Sequence, residues 1–329
     1  MPYVVRFISE ADVKSMGITM PEMIEQVELG WKMKGEGKVE LPAKPGVHPR
    51  KDCYIHAMPC WVGGEVDTAG LKWVAGYPSN LSRNLPYNNG VFILNDTDTG
   101  VVKAIMDANW MTTWRTGAAA GIGAKYLADP NATVAAVAGL GTIGKITLRA
   151  FETVLPKLKT VKVFDPLPQQ AEKYVAQMKE LFPQLEFVIC GDVKALCADA
   201  DVVTTCAPIL EIPNRTITPA MLKANVCCIS SDYDATFDAD VVNKGNIFVC
   251  DDKGQYLWTQ GHGVYFQSGY PVESEIYADM GEIVAGKKQA LRQGRRCCVF
   301  MGIASHDVMT AKLIYEKAKE KGIGQDLDL

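Results

Sequence analysis

The sequence predicts an α/β protein with a doubly wound parallel sheet and a second, mixed α+β lobe, and three observations predict it. From Asp129 onward, apolar strand-like runs alternate with segments of helical spacing. One such run, "ATVAAVAGL", breaks into glycines and resumes as a helix. The first 125 residues differ, with strand-like segments set between clusters of Gly, Asn, Asp and Pro. A chain of 329 residues is long for one core and comfortable for two, because single cores stop growing near about 250–300 residues.

In the N-terminal lobe, "YIHAMPCWV", "GLKWVAGYP" and "NGVFILNDTDTGVVKAIMDA" read as strands, with "NDTDTG" as a turn between two of them. "RTGAAAGIGAKYLA" carries small residues at helical spacing and serves as the connecting helix, its small side chains pointing to close packing against a neighbour. "TIGKITLRAFETVL", "TVKVFD", "PQQAEKYVAQMKELF", "LEFVIC", "DVKALCADA", "DVVTTCAP", "TPAMLKA" and "NVCCISSD" continue the alternation, and right-handed crossovers make the strands parallel. "IASHDVMTAKLIYEKAKEKG" is an amphipathic helix with Val308, Ala311, Leu313, Ile314 and Ala318 on one side, returning to the first lobe. The expected division is 1–125 with 305–329 for one lobe and 126–304 for the other.

Composition narrows the function. Hydrophobic residues make up 48% and charged residues 22% of the chain, as in an ordinary globular protein. The net charge is -4, with Lys and Arg scattered, so neither nucleic acid nor an anionic membrane is an expected partner. "MPYVVRFISEADV" has no basic segment leading into an apolar one, and no run reaches the roughly 18 apolar residues of a membrane span, which implies a cytoplasmic protein. Ten cysteines include no C-x-x-C pair, and most lie in apolar stretches, so they read as buried reduced thiols. The four histidines form no array, and no metal is expected.

Gly139, Gly141 and Gly144 match G-x-G-x-x-G between a strand and a helix. The first glycine allows a tight turn, the second lets backbone approach a pyrophosphate, and the third lets helix and strand pack closely. The amides that follow, at Thr142 and Ile143, open the helix and offer N–H groups to phosphate. Alone the pattern is weak, and a plain packing turn competes with it. Asp165 strengthens it by closing the next strand, "VKVFD", where a carboxylate accepts hydrogen bonds from the adenosine ribose and repels a 2'-phosphate. NAD is therefore expected over NADP. A strand-ending turn Asp is the alternative for Asp165.

A nicotinamide enzyme also needs groups that anchor substrate and exchange protons. Lys72 in "GLKWVAGYPSN" and Arg115 in "TTWRTGAAAG" are cations in apolar or small-residue surroundings. A guanidinium grips a carboxylate with two hydrogen bonds, so Arg115 is the expected anchor, although either cation alone reads equally as structural. Asp232 follows the apolar strand "CCIS" and should emerge at the carboxyl edge of the sheet, as a proton-exchanging group or as a helix N-cap.

"LKWVAGYPSN", "NGVFILNDTDTGVVKAIMDANWMTTWRTGAAAG", the glycine turn and "DMGEIVAGKK", in order along nearly the whole chain, resemble the ornithine cyclodeaminase / mu-crystallin family, with its alanine dehydrogenase and ketimine reductase branches. The resemblance implies a Rossmann lobe and a mixed-sheet lobe for substrate binding and homodimerisation. By position it implies Lys72 as active-site lysine, Arg115 as carboxylate-binding arginine and Asp232 as acid/base. It also implies an arginine in the segment near "LPAKPGVHPR", a place that Lys44 or Arg50 could take. Where the ornithine enzyme has a glutamate two residues before Met-Pro, this chain has His56, and the segment after Asp232 reads "DATFD" instead of a Gly-Lys run. A neutral imidazole stabilises a distal ammonium less than a carboxylate does, or is simply a hydrogen-bonded, half-buried histidine.

The resemblance thus implies hydride transfer at the alpha C–N centre of a small amino or imino acid. Cyclodeamination with ammonia release leads, with imino-acid reduction or amino-acid dehydrogenation as alternatives. A non-catalytic, crystallin-like ligand-binding protein is the reading from another class.

Overall fold

The computed structural model describes residues 3–329, apart from the side chain of Leu81. The chain forms two compact units, one of residues 1–115 with 302–329 and one of residues 116–301. The first boundary falls inside a helix, and each unit has its own sheet.

The first unit begins with β1 (Val4–Ile8), α1 (Glu10–Ser15) and α2 (Met20–Gly35). Both helices start where the sequence supplies a capping box. Ser9 accepts from the Asp12 amide and Thr19 from the Glu22 amide, while each acid reaches back to the cap backbone. Next come β2 (Val39–Glu40), β3 (Gly46–Val47), β4 (Tyr54–Val62), β5 (Thr68–Gly76), β6 (Asn88–Asn95), β7 (Val102–Asp107) and the start of α3 (Asn109–Leu127), which belongs to the second unit from Thr116 onward. The strands read from the sequence are antiparallel neighbours here, β4 with β5, β5 with β6, and β6 with β7 across the "NDTDTG" turn.

The second unit runs through β8 (Val134–Ala138), α4 (Thr142–Val154), β9 (Thr160–Phe164), α5 (Pro168–Leu181), β10 (Glu186–Ile189), α6 (Val193–Cys197), β11 (Val202–Thr205) and β12 (Val226–Ser230). It continues with α7 (Ala239–Asn243), β13 (Ile247–Cys250), α8 (Lys253–Gly261), β14 (Ala278–Asp279), α9 (Met280–Val284) and β15 (Arg295–Val299). Its sheet is parallel throughout, in the order β10-β9-β8-β11-β12-β15-β13-β14. Strand order reverses direction between β8 and β11, which is where open α/β sheets leave a crevice for ligands. The small residues of α3 let it lie directly on α4: a methyl group at Gly117 would meet Ile146 at 2.8 Å, and one at Gly121 would meet Ala150 at 2.8 Å.

The chain then re-enters the first unit as α10 (Ala304–Lys321) and β16 (Gln325–Asp328). Its sheet has the order β16-β1-β7-β6-β5-β4-β2, with β3 also pairing β4. Even-numbered residues of β4 and β5 such as Met58, Lys72 and Val74 are buried on the face packed by α10. Odd-numbered ones such as Trp61 and Trp73 are exposed on the other, as the two-residue period of a strand requires. The amphipathic reading of α10 holds only for its second half. Residues 304–311 are buried all round, because α2 covers the side turned away from the sheet.

All ten cysteines are free thiols, nine buried and Cys206 half-buried. Among the described residues no helix is long and apolar enough to cross a membrane, and no three His, Cys, Asp or Glu side chains gather as a metal site.

Candidate active site

Each unit assembles its own set of functional groups. In the second unit the glycine turn joins β8 to α4, and its three glycines meet three different physical demands. Gly139 has φ +87, and a Cβ there would strike the Cys206 carbonyl oxygen at 2.6 Å, so only glycine fits. Gly144 packs on the turn itself, with a Cβ landing 2.2 Å from the Gly139 oxygen. Gly141 faces open space, with nothing within 4 Å of such a Cβ. It is also the N-cap of α4 and supplies no side chain to the helix end, so the first-turn amides, Thr142 and Ile143 among them, are left for an anion. An exposed, uncapped terminus of a 13-residue helix beneath a glycine that leaves room for backbone approach fits a dinucleotide pyrophosphate.

Asp165 lies at the end of β9 and accepts from the Leu140 amide through Oδ2 at 3.0 Å and from the Leu167 amide through Oδ1 at 3.0 Å. It therefore fixes the turn it faces, and each oxygen keeps a second lone pair for a ribose hydroxyl. The segment from Phe164 to Gln170 contains no cation to meet a 2'-phosphate.

Asp232, just beyond β12, is fully buried. Oδ1 accepts from the Thr205 and Ser230 hydroxyls, and Oδ2 from the Thr236 hydroxyl and the Ala207 amide, at 2.7–3.0 Å. Burial raises its pKa while these four donors oppose the rise. It does not cap the following helix, a role taken by Asp238.

In the first unit Lys72 stands in the middle of β5 with its side chain toward α10, 0% exposed. Arg115 reaches in from α3. Both end on one oxygen of Asp307: Lys72 Nζ donates to Oδ1 at 2.8 Å and Arg115 Nε donates to the same atom at 3.0 Å. Burial pushes the Lys72 ammonium down to about 7, with Arg115 adding to the fall and Asp307 opposing it. The Arg115 guanidinium rests on Gly302, where a Cβ would come within 2.2 Å of Nη1.

His56 of β4 pairs in register with Val74, two residues along β5 from Lys72, so the two side chains are diagonal neighbours on one face. Its ring stacks on Tyr54 with centroids 4.4 Å apart and meets His48 edge-on at 6.1 Å. Burial drives its pKa down to about 3, with Lys44, His48 and Lys72 pushing the same way. Of the two cations left open by the sequence, Lys44 is buried beside this group, whereas Arg50 is exposed and donates to the Pro49 carbonyl.

Sequence reasoning missed Asp307 and its neighbour His306. His306 is fully buried edge-on to Trp31, centroids 4.3 Å apart, with neither ring nitrogen hydrogen-bonded. The available signal was a charged residue in the first turns of "IASHDVMTA", beside a histidine and otherwise among small or apolar residues.

Known proteins resemble the chain along nearly its whole length. The model of the "Ornithine cyclodeaminase/mu-crystallin family" matches residues 4–322. The chain is 30% identical over 334 residues to an alanine dehydrogenase of Archaeoglobus fulgidus, covering 97% of each chain. Among solved structures, a Thermococcus litoralis Δ1-pyrroline-2-carboxylate reductase in complex with NADH and L-proline superposes with a TM-score of 0.87 at 27% identity, covering 98% of this chain and 100% of that one. An archaeal alanine dehydrogenase dimer with bound NAD gives 0.86 at 27% identity, covering 99% of each. A family match over nearly the whole length, joined to a dinucleotide turn and a buried lysine–arginine pair, places the chain in the ornithine cyclodeaminase/mu-crystallin family.

Proposed function

We propose that this protein is an NAD-dependent oxidoreductase acting at the alpha C–N bond of a small amino or imino acid, as a dehydrogenase or imine reductase. The observation that carries the reading is the pair of cations on Asp307, a buried lysine poised near neutral pH beside a guanidinium fixed by its Nε. When bound, NAD(H) accepts or supplies the hydride. The turn from Gly139 to Gly144, the amides at Thr142 and Ile143, and Asp165 are the groups that hold it.

The remaining work falls to side chains. Arg115 presents its Nη fork to a substrate carboxylate. Lys72, with a pKa of about 7, holds a proton for the substrate nitrogen in reduction and takes one up in oxidation. Asp232, with both oxygens engaged by four donors, acts by fixing Thr205, Ser230 and the Ala207 backbone.

His56 favours this chemistry over cyclodeamination of a diamine. Besides burial, the neighbours that depress it are Lys44, His48 and Lys72, a set without a carboxylate, so a distal ammonium would lack the partner it needs there. We also propose a homodimer, formed through the outer face of the first unit's sheet. There Phe7, Trp61, Trp73 and Val91 are 41–46% exposed on one apolar surface. A cytoplasmic setting accords with ten free thiols.

One set of measurements on the purified protein tests the reading: light scattering for mass, then NADH absorbance and ammonia with amino acids, cyclic imines, and keto acids plus ammonia. Net NADH formation from an amino acid, or consumption with an imine, is expected. Ammonia and proline from ornithine at constant NADH would return the assignment to cyclodeamination, and absence of any turnover would remove it.

A further inference from the structure

A lysine and an arginine buried side by side repel each other, and neither holds its place without a counter-charge. Lys72 and Arg115 come from different elements, β5 and α3, and reach the same atom of a third, α10. Exposure is 0% for Lys72, 6% for Arg115 and 0% for Asp307, so water screens none of these charges. The second carboxylate oxygen, Oδ2, is buried without a hydrogen-bond partner. That is an uncommon state for a carboxylate, and it concentrates both ties on Oδ1.

The tie to Arg115 is also selective. A carboxylate placed only to neutralise an arginine usually meets two N–H groups in parallel. Asp307 takes Nε alone, and the guanidinium lies against Gly302, where a Cβ would come within 2.2 Å of Nη1. The side chain is thereby fixed in rotation as well as in charge.

We propose that Asp307 is a positioning residue of the active site: through one shared oxygen it aims the Arg115 fork and holds the Lys72 amine beside it. The proposal rests on the oxidoreductase reading given above. The groups facing Lys72 are Arg115 of α3, Asp307 and His306 of α10, Lys44 ahead of β3, and His56 of β4. Among those that shift it, burial, Arg115 and Lys44 disfavour the ammonium and Asp307 favours it. Without that charge the amine loses its proton at lower pH.

The test uses Asp307→Asn, which keeps the shape and removes the charge, and Asp307→Glu, which restores the charge. In Asp307→Asn, kcat/KM for imine reduction is expected to fall roughly 10²-fold, with KM rising for the carboxylate substrate. The limb of the pH profile that needs protonated Lys72 is expected to move to lower pH, while NADH affinity stays unchanged. Asp307→Glu is expected to bring that limb back. A structural role alone would lower activity without moving the limb, and an unmoved limb in Asp307→Asn would overturn the proposal.

A second measurement needs no turnover. In a thermal-unfolding cycle of Asp307→Asn and Lys72→Met, the two changes are expected to be non-additive, and additivity would overturn the tie. If the wild-type protein neither reduces an imino acid nor oxidises an amino acid, the oxidoreductase reading fails by itself, and this cycle still decides whether Asp307 holds Lys72.

Discussion

The two units solve their chemical problems with different materials. The glycine turn of the second unit works through backbone: a positive φ at Gly139, a carbonyl contact at Gly144, and open amides after Gly141. The cluster of the first unit works through side chains from β4, β5, α3 and α10, at positions as far apart as 56 and 307. The difference teaches where each site is vulnerable. A backbone site fails when an atom is added to one short segment, and a side-chain site fails when a charge is removed anywhere along the chain.

Removing the charge at Lys72 should give the largest effect. Lys72→Met keeps an unbranched side chain of similar length and deletes the proton-exchanging amine, so kcat/KM should fall roughly 10³-fold. NADH affinity, assigned to the backbone of the glycine turn, should stay within about twofold in direct titration, since Lys72 and that turn share no hydrogen-bond partner among the described residues. Loss of NADH binding in this variant would break the contrast between the two regions.

The same substitution reports on stability. The folded-state pKa of Lys72 is about 7 against an ordinary 10.5. The unfolded chain therefore holds more protons between those values, and wild-type stability should rise across that window as pH rises. Below pH 7 both states are protonated, and the full cost of the buried ammonium applies. Melting temperatures of wild type minus Lys72→Met should thus climb between about pH 7 and 10. A flat difference would mean that burial leaves the amine unperturbed.

Adding an atom to the turn should give the next largest effect. In Gly144→Val the new Cβ lands on the Gly139 oxygen at 2.2 Å, a backbone atom with no room to yield. Overpacking of this kind costs about 1–3 kcal/mol, so dinucleotide binding should weaken by about 10- to 100-fold. Unchanged NADH affinity would show that the turn does not carry the cofactor.

The same division explains what the sequence could reveal. The strand, the glycine spacing and Asp165 after it lie within one short stretch, residues 134–165, and Gly139 and Gly144 each have a local steric reason for their identity. The parallel order of the second sheet follows from strand and helix alternation, and it was legible for the same reason. Lys72 and Arg115 were legible because a cation in an apolar strand or a small-residue helix has no local explanation. Asp307 was hidden inside a pattern that already had one, since an acidic residue near the start of an amphipathic helix reads as a favourable helix-end charge. Only the covering of α10 on every side at residues 304–311 turns that charge into a buried partner. His56 shows the remaining gap, because its spacing before Met-Pro locates it but cannot say that Lys44, His48 and Lys72 surround it.

Asp165 allows the finest cut, because it belongs to the backbone site yet contributes a side chain. Its carboxylate has two duties: accepting from the Leu140 and Leu167 amides, which shapes the turn, and placing a negative charge where a 2'-phosphate would lie. Asp165→Asn separates them. The amide oxygen still accepts from one of the two amides, so most of the turn survives, while the charge that repels phosphate is gone. A hydrogen bond to a charged acceptor contributes about 1.5–3 kcal/mol against about 1 for a neutral one, so the preference for NADH over NADPH should narrow by about tenfold. Melting temperature should change little. If the preference stays at its wild-type value, selection against the phosphate comes from the shape of the turn and not from this charge, and the second unit is a backbone device in its specificity as well as in its grip.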